Sequence, residues 1–149
     1  MKLLIVADDL GYCHQRDRGI IELLTDGIVD MASFMVTGMS AEHSAPMVEG
    51  FVDKIGLHFN ITEGKPMSET SKVASLLDQQ GIFHNKEEIR KRAVNGEIKG
   101  DHVREELTTQ IKQFWKLFNR VPIRIDGHQH AHTVQGGKNK HSKPDLKSF

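Results

Sequence analysis

The pattern that most constrains this chain is an alternation of short β-rich apolar runs with amphipathic helical stretches. Leu3–Ala7 is a continuous apolar run, as expected of a strand buried on both faces. Gln15–Thr25 follows as a helix: Ile20, Ile21, Leu23 and Leu24 form a broad apolar face, and Asp26-Gly27 ends it. Val29–Val36 reads as the second strand. Ser40 is a candidate N-cap for a short helix over Ala41–Phe51, and Lys54–Ile61 is the third strand. Met67–Asn85 is irregular, a length at which loops are usually functional or mobile. Lys86–Val94 is helical, and Asp101 caps the clearest helix. There Val103, Leu107, Ile111, Phe114 and Phe118 form one apolar stripe flanked by Trp115, and these aromatics read as core. Ile123–Ile125 starts a fourth strand. Such alternation implies right-handed βαβ units and a parallel sheet, either doubly wound or part of a barrel. From Thr133 the apolar pattern collapses, so residues 134–149 are expected to be a polar, disordered tail after one domain over 1–133.

Zero formal net charge argues against a nucleic-acid or anionic-membrane partner, since both favour a basic surface. No apolar run approaches the ~20 residues of a membrane span, and no signal peptide is expected. Cys13, the single cysteine, allows no intrachain disulfide. A reducing, cytoplasmic setting is the resulting expectation. Cys13 reads as a small residue lining the first loop rather than a nucleophile, because no cation clearly activates it.

Three of the apolar runs end in acid or histidine clusters: Asp8-Asp9, His58, and Asp126-Gly127-His128-Gln129-His130-Ala131-His132. In parallel α/β proteins the strand C-termini share one edge, and sites are built there. Adjacent Asp8 and Asp9 point opposite ways on an extended strand, but a turn at its end lets both reach one pocket. One carboxylate can then ligate a metal while the other acts as base on its bound water. An Asx-type turn is the plainer reading of one such Asp, and a hydrogen-bonded core histidine is the plainer reading of His58 alone. On an extended chain His128, His130 and His132 share a face with Asp126. At most two of these histidines need be ligands; the others could orient ligands or bind substrate.

Ala7-Asp8-Asp9-Leu10-Gly11, Gly56-Leu57-His58-Phe59-Asn60-Ile61-Thr62-Glu63-Gly64-Lys65-Pro66 and Asp126-Gly127-His128-Gln129-His130-Ala131-His132 resemble the motifs of the YdjC-like carbohydrate deacetylases, animal members above all. Arg18-Gly19-Ile20, Gly27-Ile28-Val29 and Arg104-Glu105-Glu106-Leu107 fit as well, while Leu10 stands where the family commonly has Phe. The resemblance implies a (β/α) barrel related to polysaccharide deacetylases, acting on N-acetylated oligosaccharides. It implies Asp8 as proton acceptor and Asp9, His58 and His128 as metal ligands. The family metal is usually taken as magnesium; two imidazoles suit zinc better on ligand softness, which leaves Zn2+ open.

Members of that family continue through further strand-helix units, so the chain is expected to represent the N-terminal half of the fold, a partial barrel. An exposed apolar interior and two sheet edges would follow, and a homo-oligomer is one way to cover them. Activity of such a half is open. The alternatives are another metallohydrolase, such as a phosphoesterase, and a non-catalytic metal-binding remnant.

Overall fold

The computed structural model describes residues 3–133; the expected tail over 134–149 and the side chain of His132 lie outside the described residues. Strands β1 (Val6–Leu10), β2 (Met31–Phe34), β3 (Ile55–Phe59) and β4 (Ile125–Gly127) form one parallel sheet in chain order. The principal helices are α1 (His14–Thr25), α2 (Ala41–Ser44), α3 (Lys86–Val94) and α4 (Gly100–Phe118). A doubly wound sheet reverses its strand order at a switch point, whereas a barrel runs in sequence. The sequential order here is that of a barrel segment.

A first apolar cluster joins Leu10, Ile20, Leu24, Phe34, Val48, Leu57 and Phe114. Phe118 meets Phe34 edge-on at 4.9 Å and Phe114 in a tilted arrangement at 4.6 Å between ring centroids. Each fully buried side chain of this size contributes about 1.5–3 kcal/mol. A second cluster gathers Phe59, Ile61, Val73, Leu76, Phe83 and Ile89. The stretch 67–85 therefore contributes Val73, Leu76, Leu77 and Phe83 to the core, with Val73 between two short 3-10 turns, Thr70–Lys72 and Ala74–Leu76. Of the α4 aromatics, Phe114 is buried but Trp115 is 53% exposed.

The strands at the two ends of the sheet begin later than expected, so the acids lie within strands rather than after them. Leu3, Leu4 and Ile5, expected to be buried, are 78%, 57% and 45% exposed. Pairing with β2 starts only at Val6, and among the described residues β1 pairs on one side alone. Main-chain bonds hold Ile5 instead: its N–H donates to Asp30 Oδ2 at 2.8 Å, and its carbonyl accepts from Asp30 N at 2.9 Å. Val121, Ile123 and Ile125, along the other edge, are also exposed. The expected helix over Ala41–Phe51 ends at Ser44, since Pro46 lacks the N–H to continue it, and a 3-10 segment Pro46–Lys54 follows. Asp101 does not cap α4. It sits in the first turn after Lys99, where its charge still suits the helix dipole.

Ser40 likewise caps nothing through its side chain. Its hydroxyl and that of Ser44 both donate to Asp17 Oδ2, while Asp17 Oδ1 accepts the Gly11 N–H at 2.7 Å. Asp17, 2% exposed, thus ties α1, the turn after β1 and α2 together. Gly38 makes this junction passable, because a Cβ there would stand 2.0 Å from the Gly11 carbonyl oxygen. Replacing Asp17 by Ala leaves three buried donors to find new partners. We expect a loss of about 3 kcal/mol or more by urea unfolding; a change below about 1 kcal/mol would show that the junction does not depend on it.

Candidate metal centre

A single extra residue in β1 builds the site. Ala7 pairs with Ala32 and Leu10 with Phe34, so three steps on β1 oppose two on β2. The bulge is made by Asp9 in the left-handed region, at φ 67°. Asp tolerates that region better than most residues, at a cost on the order of 1 kcal/mol. The bulge breaks the alternation of the strand and brings both carboxylates to the same edge.

His58 and Asp126 are register partners on β3 and β4. His58 Nδ1 lies 2.7 Å from Asp126 Oδ1, and its Nε2 lies 3.1 Å from Asp9 Oδ1. His128 brings Nδ1 to 2.9 Å from that same Asp9 oxygen. Both imidazoles are buried and meet edge-on at 5.2 Å between centroids. One carboxylate oxygen therefore faces two ring nitrogens, and donor atoms of Asp9, His58 and His128 all lie within 4.8 Å of one another. The other Asp9 oxygen accepts from Arg16 Nη1 at 2.7 Å, so Oδ1 is the oxygen that faces the two imidazoles.

Donor atoms of Asp8, His58 and Asp126 form an adjoining cluster within the same limit. Ser33 links it: its hydroxyl lies 3.0 Å from Asp8 Oδ1, 2.8 Å from Asp126 Oδ2 and 2.6 Å from Arg124 Nη2. Arg124 also pairs with Asp126 at 2.8 Å. Asp126 is thus already neutralised, whereas Asp8 is exposed with one short contact. An oxygen and two imidazole nitrogens suit a divalent cation of the magnesium-to-zinc range, with coordination positions left open.

The charges reinforce each other. The hydrogen bonds from His128 and His58 hold the Asp9 carboxyl well below the usual carboxylate range. Burial opposes charge on His58, but the bonds to Asp126 and Asp9 outweigh it and raise its pKa to about 9. Burial also opposes ionisation of Asp126, yet the His58 and Ser33 bonds keep its carboxyl low.

The period-two reading of the histidines does not hold. β4 ends at Gly127, and Gln129 and His130 both turn into the left-handed region, at φ 51° and 60°. His128 stays at the site, Gln129 folds back over it to Glu63, and His130 is exposed and outside the cluster. Sequence reading gave no individual role to Ser33, Glu63 or Arg124. The available signal was a polar residue inside an apolar strand run, at Ser33 and Arg124.

Fold and site define a class: a sequentially ordered parallel α/β sheet carrying a carboxylate–imidazole cluster at the C-terminal ends of its strands. Comparison with known proteins narrows it. The family model described as YdjC-like protein matches residues 2–137, and the chain belongs to that family. It is 37% identical over 134 residues to a carbohydrate deacetylase of Danio rerio, covering 90% of this chain and 43% of that protein. A human carbohydrate deacetylase is 39% identical over 137 residues, 91% of this chain and 42% of the relative. A chitooligosaccharide deacetylase of Serratia marcescens is 38% identical over 133 residues, 88% and 51%. The chain spans about half the length of the curated relatives it matches. A crystal structure from Enterococcus faecalis, provisionally described as a cellobiose-phosphate cleavage protein, superimposes with a TM-score of 0.75 at 28% identity, covering 87% of this chain and 49% of that one.

The shifted histidine makes the metal-free chain sensitive to alkali. A folded-state pKa raised to about 9, from 6.5, means stability fully present below pH 6.5 and lost as pH rises through 9. The depressed Asp9 works at the other end: its contribution is present above the ordinary carboxylate range and lost in acid. Melting curves in chelator should fall between pH 6.5 and 10, and His58→Gln should flatten that limb. An unchanged slope in the variant would refute the assignment.

Proposed function

We propose that the chain carries the metal centre of a metal-dependent hydrolase that removes N-acetyl groups from acetylated oligosaccharides. The observation that carries this reading is the convergence of Asp9, His58 and His128 on one point at the strand ends, with Asp8 beside them. The deacetylases among its relatives supply the substrate class. The geometry supports three residues as ligands: Asp9 through Oδ1, His58 through Nε2 and His128 through Nδ1. Mg2+ or Zn2+ are the candidate ions.

When bound, such an ion polarises the acetyl carbonyl and acidifies a water molecule. Asp8, exposed and hydrogen-bonded to Ser33, would take the proton of that water. Asp126, 2.7 Å from His58 Nδ1, would hold that nitrogen as donor and leave Nε2 to ligate an ion. Arg16 holds the other Asp9 oxygen, so Asp9 would ligate through Oδ1 alone. No described residue is assigned to protonate the leaving amine.

A phosphoester substrate fits less well. Asp8, Asp9, Asp126 and Glu63 ring the site, and the two nearby arginines are engaged by Asp9 and Asp126. A neutral amide meets less repulsion there than a phosphate dianion.

The test is acetate release from N-acetylated chitooligosaccharides with added Mg2+ or Zn2+. Asp8→Asn should lower kcat by roughly 100- to 10,000-fold, as loss of a positioned base does, while leaving metal affinity nearly intact. Metal uptake with no acetate release from the unmodified chain would favour the non-catalytic reading instead.

A further inference from the structure

The two buried histidines of the centre differ in how their outward nitrogens are held. His58 Nδ1 has Asp126 at 2.7 Å. His128 Nε2 is buried with no hydrogen-bond partner, yet Glu63 Oε2 stands 3.5 Å away. A shift of about half an ångström would close that gap into hydrogen-bond range.

Glu63 is not at this spot by chance placement of a surface acid. Asn60, fully buried, forms the turn beneath it: its Oδ1 accepts the N–H groups of Thr62 at 3.0 Å and Glu63 at 3.2 Å. Its Nδ2 donates to the Glu63 carbonyl at 2.8 Å. Gln110 of α4 grips Asn60 through both main-chain groups, at 3.1 and 2.6 Å. From the other side, Gln129 Nε2 donates to Glu63 Oε1 at 2.5 Å, out of the left-handed turn that follows His128. One carboxylate oxygen is thereby fixed, and the second is turned to the imidazole.

We propose that Glu63 is a positioning residue of the metal centre: its Oε2, with the Tyr12 hydroxyl also hydrogen-bonded to this carboxylate, accepts the Nε2–H of His128 and so commits Nδ1 to the metal. It does for His128 what Asp126 does for His58, from a loop rather than a strand. An imidazole left without that acceptor would be free to rotate or to carry its proton on either nitrogen, and either change weakens a ligand. The inference rests on the metal-centre reading and deepens it.

The test uses the full chain, labelled with nitrogen-15 histidine and loaded with Zn2+ as a diamagnetic probe. The unmodified chain should show two slowly exchanging ring N–H signals, Nδ1–H of His58 and Nε2–H of His128. Glu63→Ala should lose the His128 signal, keep that of His58, and bind Zn2+ roughly 10- to 100-fold more weakly in competition with an indicator. Glu63→Gln keeps an accepting oxygen without the charge and should fall between; it settles the matter if the Ala variant melts too low to study. Equal Zn2+ affinity and an unchanged His128 signal in both variants would overturn the role of Glu63 alone. Loss of both histidine signals together would mean general loosening and would also overturn it. Failure of the unmodified chain to take up Zn2+ or Mg2+ would instead remove the metal centre, and this inference with it.

Discussion

One irregularity of backbone governs the site: the extra residue in β1, with Asp9 in the left-handed region. A regular strand would send Asp8 and Asp9 to opposite faces of the sheet. With the bulge, Asp9 Oδ1 meets both imidazoles while Asp8 remains beside them, bonded to Ser33. The strain is small beside what it organises. Two buried rings from β3 and from the end of β4 converge on an oxygen that a straight strand would place elsewhere.

The polar groups around this point form a chain rather than a collection of pairs. Arg124 bonds Asp126 and Ser33, Ser33 reaches both Asp126 and Asp8, Asp126 holds His58, and His58 faces Asp9. Arg16 closes the other end on Asp9 and lays its guanidinium over Tyr12, 4.3 Å from the ring centroid. Half-buried charges are tolerated only when paired and hydrogen-bonded in this way. Parallel register helps make the chain continuous: His58 and Asp126 are direct partners, and Ser33 is level with Gly56, two residues before His58 on the same face of β3.

Much of this was legible in the residues. The order of strands and helices, the parallel sheet and the gathering of acids and histidines at one edge follow from apolar runs that end in such residues, while the choice of His128 among the three histidines came from the family resemblance. What was not legible depends on backbone geometry that periodicity does not encode. Leu3–Ile5 carry a strand's composition but lie outside the pairing that begins at Val6. His130 alternates with His128 in sequence, yet two left-handed residues turn it outward. Ser40 looks like a cap, but its hydroxyl goes instead to Asp17, a buried carboxylate on the neighbouring helix that helix patterning does not reveal. Glu63 reads as a loop breaker until Asn60 and Gln129 are seen to aim it.

Helix α4 has a part in this that its amphipathic stripe hides. Glu106 and Gln110 lie one turn apart and fully buried. Glu106 accepts the N–H groups of Met67 at 2.9 Å and Ser68 at 3.0 Å, and Gln110 holds Asn60. The helix is thus a jig on which the loop after β3 is shaped. Adding or deleting one residue within its first turns would swing both anchors by about 100° around the axis. The exposed positions of α4 are free to vary in kind, while its length between Gly100 and Gln110 is as fixed as any residue that touches the site.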